Sequence, residues 1–463
     1  MLTSAFLVMN IFFITEEVYW FLLIPVAIII AALYFLSLDR ILFFITLLTP
    51  LSIGITLGNG TFGLSIPTEP LLIGVTALFV LRLVFFLDFD KRILKHPVTI
   101  SIVLYLFWVL ITSINSQVPL VSFKFLLSKL WFIIPFYFLL ISVFKREKNL
   151  RLFSLLYVFS LVIVVCYTIF RHAQYGFSEE TGHWVMSPFY NDHTAYGAML
   201  AFFLPVMFLF SRFKGYSKTI RLTSFIVVVV LMLALVLSFS RAAWVSLVVA
   251  IGVGVLIVLR VKFKWLATIG VFLIGVFFVF QTEIIQQLEK NTNESSENYI
   301  EHVRSIYNIS SDASNLERIN RWQAAIRLFK EKPLLGWGPG TYQFVYAPMQ
   351  RTREKTIIST NAGDMGNAHS EYLGPLAEMG LVGMLLVLAL ISFVLISGIR
   401  VYRRAAKPEI KMLSLAAVLA LVSYFTHGLI NNFLDSDKAS IPVWGMMAMI
   451  VAIDVFYEKK KGR

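Results

Sequence analysis

Four positively charged or titratable side chains stand where apolar sequence meets polar sequence, and each suggests a piece of anion or proton-transfer chemistry. Arg241 lies in Ser238-Phe-Ser-Arg-Ala-Ala-Trp244, between two apolar runs so close together that a tight turn must join them, with no acidic neighbour. Arginine keeps its charge at any relevant pH and offers a fork of donors matched to phosphate. Arg241 is therefore read either as an anion ligand at the mouth of a cavity or as an interface arginine resting on lipid phosphates. Arg318 and Arg321 sit three apart on a predicted helix and point in a similar direction. Together they make a diphosphate clamp or, as the plainer alternative, part of a solvated face. His369, in Asn367-Ala-His-Ser-Glu-Tyr-Leu, falls where a polar stretch returns to apolar sequence. An imidazole there is a natural general base for a hydroxyl, or simply an amphipathic packing residue.

Other groups are less pointed. Asn191 and His193 read as cavity-lining hydrogen-bond groups beside a span. His183 and Asp192 nearby offer metal-ligating side chains, but the short two-histidine helical spacing is missing, and no metal or cofactor is expected. Lys124 is expected to snorkel and Lys129 is left open between snorkelling and facing an internal site. Asp435 and Asp437 would orient an acceptor or His369, or belong to a polar loop. The triplet Gly336, Gly338, Gly340 has no βαβ surroundings and no following Lys-Ser/Thr, so a nucleotide loop is rejected. Its glycines serve tight turns or the close approach of another backbone or a ligand.

The elements that must position these residues are membrane helices. Of 463 residues 58% are hydrophobic and 14% charged, with a mean hydropathy of +0.79, against roughly 45–50% and about 25% in soluble globules. Disorder, collagen-like repeats and a disulfide scaffold are excluded by the same figures, and Cys166 stands alone. The net charge of +13 is not a nucleic-acid signature here, because Lys and Arg fall in clusters at every second gap between apolar runs.

Apolar runs long enough to cross a bilayer lie near 18–37, 41–57, 70–87, 98–115, 123–144, 152–170, 193–210, 222–239, 241–259, 265–280, 371–399, 412–430 and 439–457. The expected fold class is an all-α polytopic integral membrane bundle of about 12–14 spans with one large extracytoplasmic loop containing short helices. Three segments follow: N-terminal transmembrane helices over 1–280, the loop over 281–370, and C-terminal transmembrane helices over 371–463. With basic gaps inside, the C-terminus is cytoplasmic and the gaps near 58–69, 116–122, 171–192, 281–370 and 431–438 face outward. No basic residue precedes Arg40, so the apolar start does not read as a signal peptide.

Within the loop, 289–314 is a polar surface segment, and Ser314 with Glu317 matches a capping box opening a helix. Its apolar face is expected from Ile319, Trp322, Ile326 and Phe329, and Pro333 stops it. Arg351, Arg353 and Lys355 form a solvated charge run.

The order Ser240-Arg241-Ala-Ala-Trp244, Arg321-Trp-Gln-Ala-Ala, Pro333-Leu-Leu-Gly-Trp-Gly-Pro-Gly-Thr-Tyr342, Ala368-His-Ser-Glu-Tyr-Leu and Glu378-Met-Gly-Leu-Val-Gly383 resembles the O-antigen ligase and O-antigen polymerase superfamily, best over about 187–400. The resemblance implies a glycosyltransferase of the bacterial cytoplasmic membrane. It would move or polymerise a glycan from an undecaprenyl-diphosphate-linked donor onto an acceptor hydroxyl at the outer face, without nucleotide sugar or metal. The partners implied are that donor, a glycan or lipid-linked acceptor and membrane lipids, with no nucleic acid. On it, Arg241 and Arg321 neutralise the leaving diphosphate, His369 is the base and Arg318 a second loop arginine. Asn191, His193, Tyr342 and Asp435 are expected to contact substrate. Ser370 stands where family members commonly carry Asn, which removes a side-chain amide from that position. Attack opposite the leaving group would invert the anomeric centre. The alternatives are a lipid or solute transporter, disfavoured by the absence of paired broken helices and repeats, and a cell-envelope scaffold.

Overall fold

A computed structural model of the chain describes residues 38–57, 62–85, 90–261, 316–352, 355, 359 and 366–457. The expected spans at 18–37 and 265–280, the polar segment 289–314 with Ser314, and Arg353 lie outside the described residues. Nine helices among the described residues are long and apolar enough to cross a membrane, so the protein is a polytopic all-α membrane protein.

The helices follow the apolar runs closely. After α1 (Leu38–Leu48) and α2 (Thr68–Phe85) come α3 (Pro97–Ile114), α4 (Pro119–Val143), α5 (Glu147–Gln174), α6 (His193–Arg212), α7 (Lys218–Leu237) and α8 (Arg241–Val258). The helical residues 316–331 form α9. The C-terminal helices are α10 (Leu373–Arg404), α11 (Pro408–His427) and α12 (Asp437–Phe456). Helices α6, α11 and α12 are the most enclosed, at 78%, 89% and 83% buried, whereas α7 at 22% presents most of its surface outward. The bundle therefore wraps α7 and its neighbours around a central trio.

One expected span is corrected. The run 41–57 is not a single crossing: α1 ends at Leu48, and after a turn at Thr49–Leu51 the chain forms an antiparallel hairpin, Ile53–Leu57 with Phe62–Ile66. Pro50 cannot continue the hydrogen-bond ladder of a helix, and the alternation of Ile53 and Ile55 with Gly54 and Thr56 suits a strand. A buried network fixes the start of this excursion: Asp437 Oδ2 accepts from Ser52 Oγ and Thr68 Oγ1, both at 2.5 Å, and Lys438 Nζ donates to the Ser52 carbonyl at 2.8 Å.

Loops assigned to one side by charge do meet one another. At the basic end, Lys407 pairs with Glu147 at 2.6 Å, Arg92 donates to the Val455 carbonyl, and Tyr457 donates to the carbonyl of Phe144. At the other end the turn 115–122, the described residues of 316–372 and the turn 428–437 come together, and the site is built there.

Candidate functional site

Helix α9 lies against the start of α10, and the packing face differs from the one expected. Ala324, Ala325 and Leu328 are fully buried with Tyr342, Tyr346, Ala368 and Ala377, while Ile319, Trp322, Ile326 and Phe329 are only half-buried. The two alanines allow a close approach that larger side chains would block, and the buried stripe continues through Asn320 and Glu317. Polar residues thus occupy the inner face because they have partners: Glu317 Oε1 accepts from Arg321 Nε at 2.9 Å, and Asn320 Nδ2 donates to Gln350 Oε1 at 2.9 Å.

The glycine triplet holds the loop to a broken membrane helix. Gly336, Gly338 and Gly340 have φ of 67°, 110° and 75°, values open to glycine. α10 is interrupted at Gly380, φ 68° and ψ −169°, which frees carbonyls that a bilayer would leave without donors. Trp337 N, Gly338 N and Trp108 Nε1 donate to the carbonyls of Ala377, Glu378 and Met379 at 3.2, 2.8 and 2.9 Å. In return Leu381 N donates to the Pro333 carbonyl at 2.9 Å. A Cβ on Gly336 would strike the Glu378 backbone, and one on Gly380 the Leu334 carbonyl. The reading of close backbone approach is the one realised.

With both ends of the loop anchored, Arg321 and His369 are brought together across 48 residues. Arg321 Nη1 stands 3.2 Å from His369 Nε2 and donates to the Asn367 carbonyl at 3.3 Å. Its guanidinium lies 5.6 Å over the Tyr346 ring. Because an arginine has only donors, Nε2 is the acceptor and the imidazole proton sits on Nδ1. His369 has φ 46°, a left-handed conformation uncommon for a non-glycine residue. Its own N–H is held by Asn367 Oδ1 at 3.0 Å. Burial first, then the charges of Arg321 and Arg318, push the His369 imidazole down to about 4, against the opposing pull of Asp192 and Glu317.

Arg318 faces the neighbouring helices. It lies within electrostatic reach of Asp192, His193, His369 and His427, and burial lowers its pKa while Asp192 raises it. Asp192 caps α6, accepting from Thr194 N at 2.7 Å and Ala195 N at 2.8 Å, so the same carboxylate orients the helix and faces the arginine. His193 stacks on His183 with centroids 4.2 Å apart. Among the described residues no group of three or more His, Cys, Asp or Glu is arranged to hold a metal. Arg241 is exposed at the first position of α8, after a turn in which Phe239 has φ 51°. The next residue, Ala242, presents its backbone to His427. Arg241 thus stands at the same end of the bundle, its charge added to the positive end of the α8 dipole.

The other residues expected to contact substrate occupy different settings. Tyr342 is buried, stacks on Tyr346 at 5.1 Å and donates its hydroxyl to the Arg321 carbonyl at 2.6 Å, so it holds the arginine's backbone. Asp435 does not reach His369: it accepts from Lys129 Nζ at 2.6 Å. Lys129 does not snorkel; it is 3% exposed and also donates to the Leu434 carbonyl. Asn191 is exposed, with no role fixed by its surroundings.

Sequence reasoning missed Glu317, quoted there only as a capping residue, and the two carboxylates beyond His369. Glu371 accepts from Tyr424 Oη at 2.6 Å and from Phe433 N and Leu434 N, both at 2.9 Å, joining the loop's end to the α11–α12 turn. Burial raises its pKa. Glu378 accepts from Tyr342 N at 2.9 Å. The signal that marks them is the cost of a charge inside or beside an apolar run. These carboxylates border a cavity of about 530 Å3 between α4, α10 and the α11–α12 turn, whose wall includes Asn367, Ala368 and Ser370 on either side of His369.

Residues 225–388 match the family model described as O-antigen ligase. The matched stretch runs from within α7 to within α10 and contains Arg241, Arg318, Arg321 and His369. A similar sequence is an uncharacterized protein of Haemophilus influenzae, 22% identical over 246 residues, which are 51% of this chain and 58% of that protein. The chain thus matches a little over half the length of this relative.

Proposed function

We propose, for a chain that belongs through residues 225–388 to the O-antigen ligase superfamily, that it transfers or polymerises a glycan from an undecaprenyl-diphosphate-linked donor onto an acceptor hydroxyl at the outer face of the bacterial cytoplasmic membrane. The observation that carries this reading is the 3.2 Å contact between Arg321 and His369. It sets a fixed cation and a neutral base side by side in a largely buried position.

The chemistry follows from that pair. The acceptor hydroxyl gives its proton to His369 Nε2 while its oxygen bonds to the anomeric carbon. The bond from that carbon to the diphosphate oxygen breaks, and the electron pair leaves with the diphosphate. Negative charge grows on the leaving oxygens, where Arg321, with Arg241 and Arg318 nearby, stabilises it more strongly than water would. Nε2 is engaged by Arg321 in the free protein. An arriving diphosphate draws the guanidinium toward itself and releases the lone pair, so donor binding readies the base. Displacement from the opposite face inverts the anomeric centre. Arginine charge takes the part a divalent cation plays in other diphosphate transfers, so the reaction proceeds in EDTA.

The test uses purified full-length protein in lipid nanodiscs, given lipid-diphosphate oligosaccharide and EDTA. Longer lipid-linked products mark polymerisation and transfer to an added acceptor marks ligation, with product stereochemistry read by NMR. Arg241→Ala, Arg321→Ala and His369→Ala should each lower turnover by about 100-fold or more, the range for loss of a general base or a charge-stabilising donor. Wild-type turnover in all three would overturn the reading, as would vectorial accumulation of substrate with no glycan joined.

A further inference from the structure

We infer that the cavity beside His369 is the subsite for the acceptor saccharide, and that it is built for a glycan without negative charge. The inference rests on the transfer reaction proposed above and assigns the half of the site that the arginines leave unassigned.

The cavity's volume, about 530 Å3, is in the range of small-molecule sites and suits a short saccharide. It adjoins the reacting groups through one short segment: Asn367, Ala368 and Ser370 line it, and His369 is the residue between them. Unlike the donor side, it presents carboxyl groups and no unpaired cation among the described residues. Asp435, Glu371 and Glu378 face one cation, Lys129, which is already held by Asp435. A diphosphate there would meet carboxyl groups and a cation already engaged, with no free positive charge to compensate its own desolvation. Sugar hydroxyls, by contrast, donate well to carboxylates. The Asp435 side chain is 53% exposed and so free to accept them.

Two further observations point to a bound polar molecule. Trp444 lines the cavity, is 1% exposed, and its Nε1 has no hydrogen-bond partner among the described residues. Asn432 Oδ1, also on the wall, is buried and unpartnered in the same way. Buried donors and acceptors are almost always satisfied, and one hydroxyl-bearing ligand supplies both an acceptor and a donor. Tyr105 and Phe125 add aromatic wall against which the apolar face of a sugar ring packs. The carrier's diphosphate and the acceptor's sugar thus meet separate surfaces, one rich in arginine and one in carboxyl groups, joined by the segment 367–370.

The probe is the oligosaccharide released by mild acid from the host's own lipid-linked glycan, which carries no diphosphate, tagged at its reducing end and titrated into the full-length protein in nanodiscs. Gly374→Phe fills the cavity, since a Cβ at Gly374 meets nothing nearer than Ala368 Cβ at 3.9 Å. Wild-type protein should bind saturably, Gly374→Phe at least tenfold more weakly, and Arg321→Ala within twofold of wild type. Oxidising the probe's primary hydroxyls to carboxylates should weaken binding at least tenfold. Failure of the wild type to bind, binding lost in Arg321→Ala but kept in Gly374→Phe, or tighter binding of the oxidised probe would each overturn the subsite. Donor turnover is measured in the same preparations. Absent turnover with intact binding counts against the transfer reaction alone, and normal turnover with no binding counts against the subsite alone.

Discussion

The protonation of His369 offers a direct measurement of the site's electrostatics. The imidazole is held at about 4, against about 6.5 for an unperturbed histidine, a difference of about 3 kcal/mol between its protonation states. At pH 7 an ordinary histidine is about one quarter charged; His369 should be charged in roughly one molecule in a thousand. The sign of the stability effect follows. The unfolded chain takes up this proton as pH falls through 6.5 and the folded protein does not until about 4. The contribution is therefore fully present above 6.5 and is lost as pH falls from 6.5 toward 4. Because burial is the largest cause and Arg321 the second, Arg321→Gln should raise the midpoint yet leave it below the ordinary value. Binding an isoprenyl diphosphate, which brings negative charge, should raise it as well, so affinity for that ligand should strengthen as pH falls toward 4. The measurement is the pH titration of 13C-labelled histidine Cε1 signals in detergent-solubilised protein. The chain has seven histidines, and the signal missing in His369→Gln supplies the assignment. A midpoint of 6 or above in the ligand-free protein, or no change with Arg321→Gln, would refute the argument.

Other perturbations have directions set by geometry. Glu317→Gln removes the carboxylate that holds Arg321 Nε at 2.9 Å and should reduce glycan transfer about tenfold to a hundredfold by letting the guanidinium wander, read as turnover at constant folded protein. Gly380→Ala places a side chain at φ 68° against the Leu334 carbonyl and should cost at least about 1–2 kcal/mol. Gly252→Ala, in open space on α8, should be neutral or stabilise by about 0.5–1 kcal/mol; thermal shift in detergent compares them. Asp435→Asn should destabilise more than Lys129→Met, on the order of 3 kcal/mol, because it leaves a buried ammonium without its carboxylate, whereas a lone Asp435 still reaches water. Equal shifts would argue against that burial.

Much of the scaffold was legible in the sequence because membrane helices obey a simple length and hydropathy rule. The run at 193–210 became His193–Arg212, and that at 241–259 became Arg241–Val258. The rule failed at 41–57, where apolarity is shared by a helix and a strand, and Pro50 with the β-branched alternation after it carried the distinction. It also could not foresee the break in α10, since Gly380 departs from helical angles only because the segment around Trp337 and Gly338 is there to take the released carbonyls. The nearness of Arg321 to His369 was suggested by resemblance rather than periodicity, because no local rule brings residues 48 apart into contact. Glu317, Glu371 and Lys129 were underread for one reason: their value lies in partners from distant segments, and a sequence shows a charge without showing its partner.

The interruption of α10 bears on how the chain is assembled. The carbonyls of Ala377, Glu378 and Met379 are satisfied by Trp337, Gly338 and Trp108, and two of those three donors are synthesised just ahead of the helix they complete. Lateral release of that helix into lipid before the preceding segment has docked would expose bare peptide groups to hydrocarbon, so docking of that segment and partitioning of the helix must occur in concert. Substitutions in the glycine triplet should accordingly be recognised by membrane quality control as insertion defects, long before any loss of turnover could be assayed.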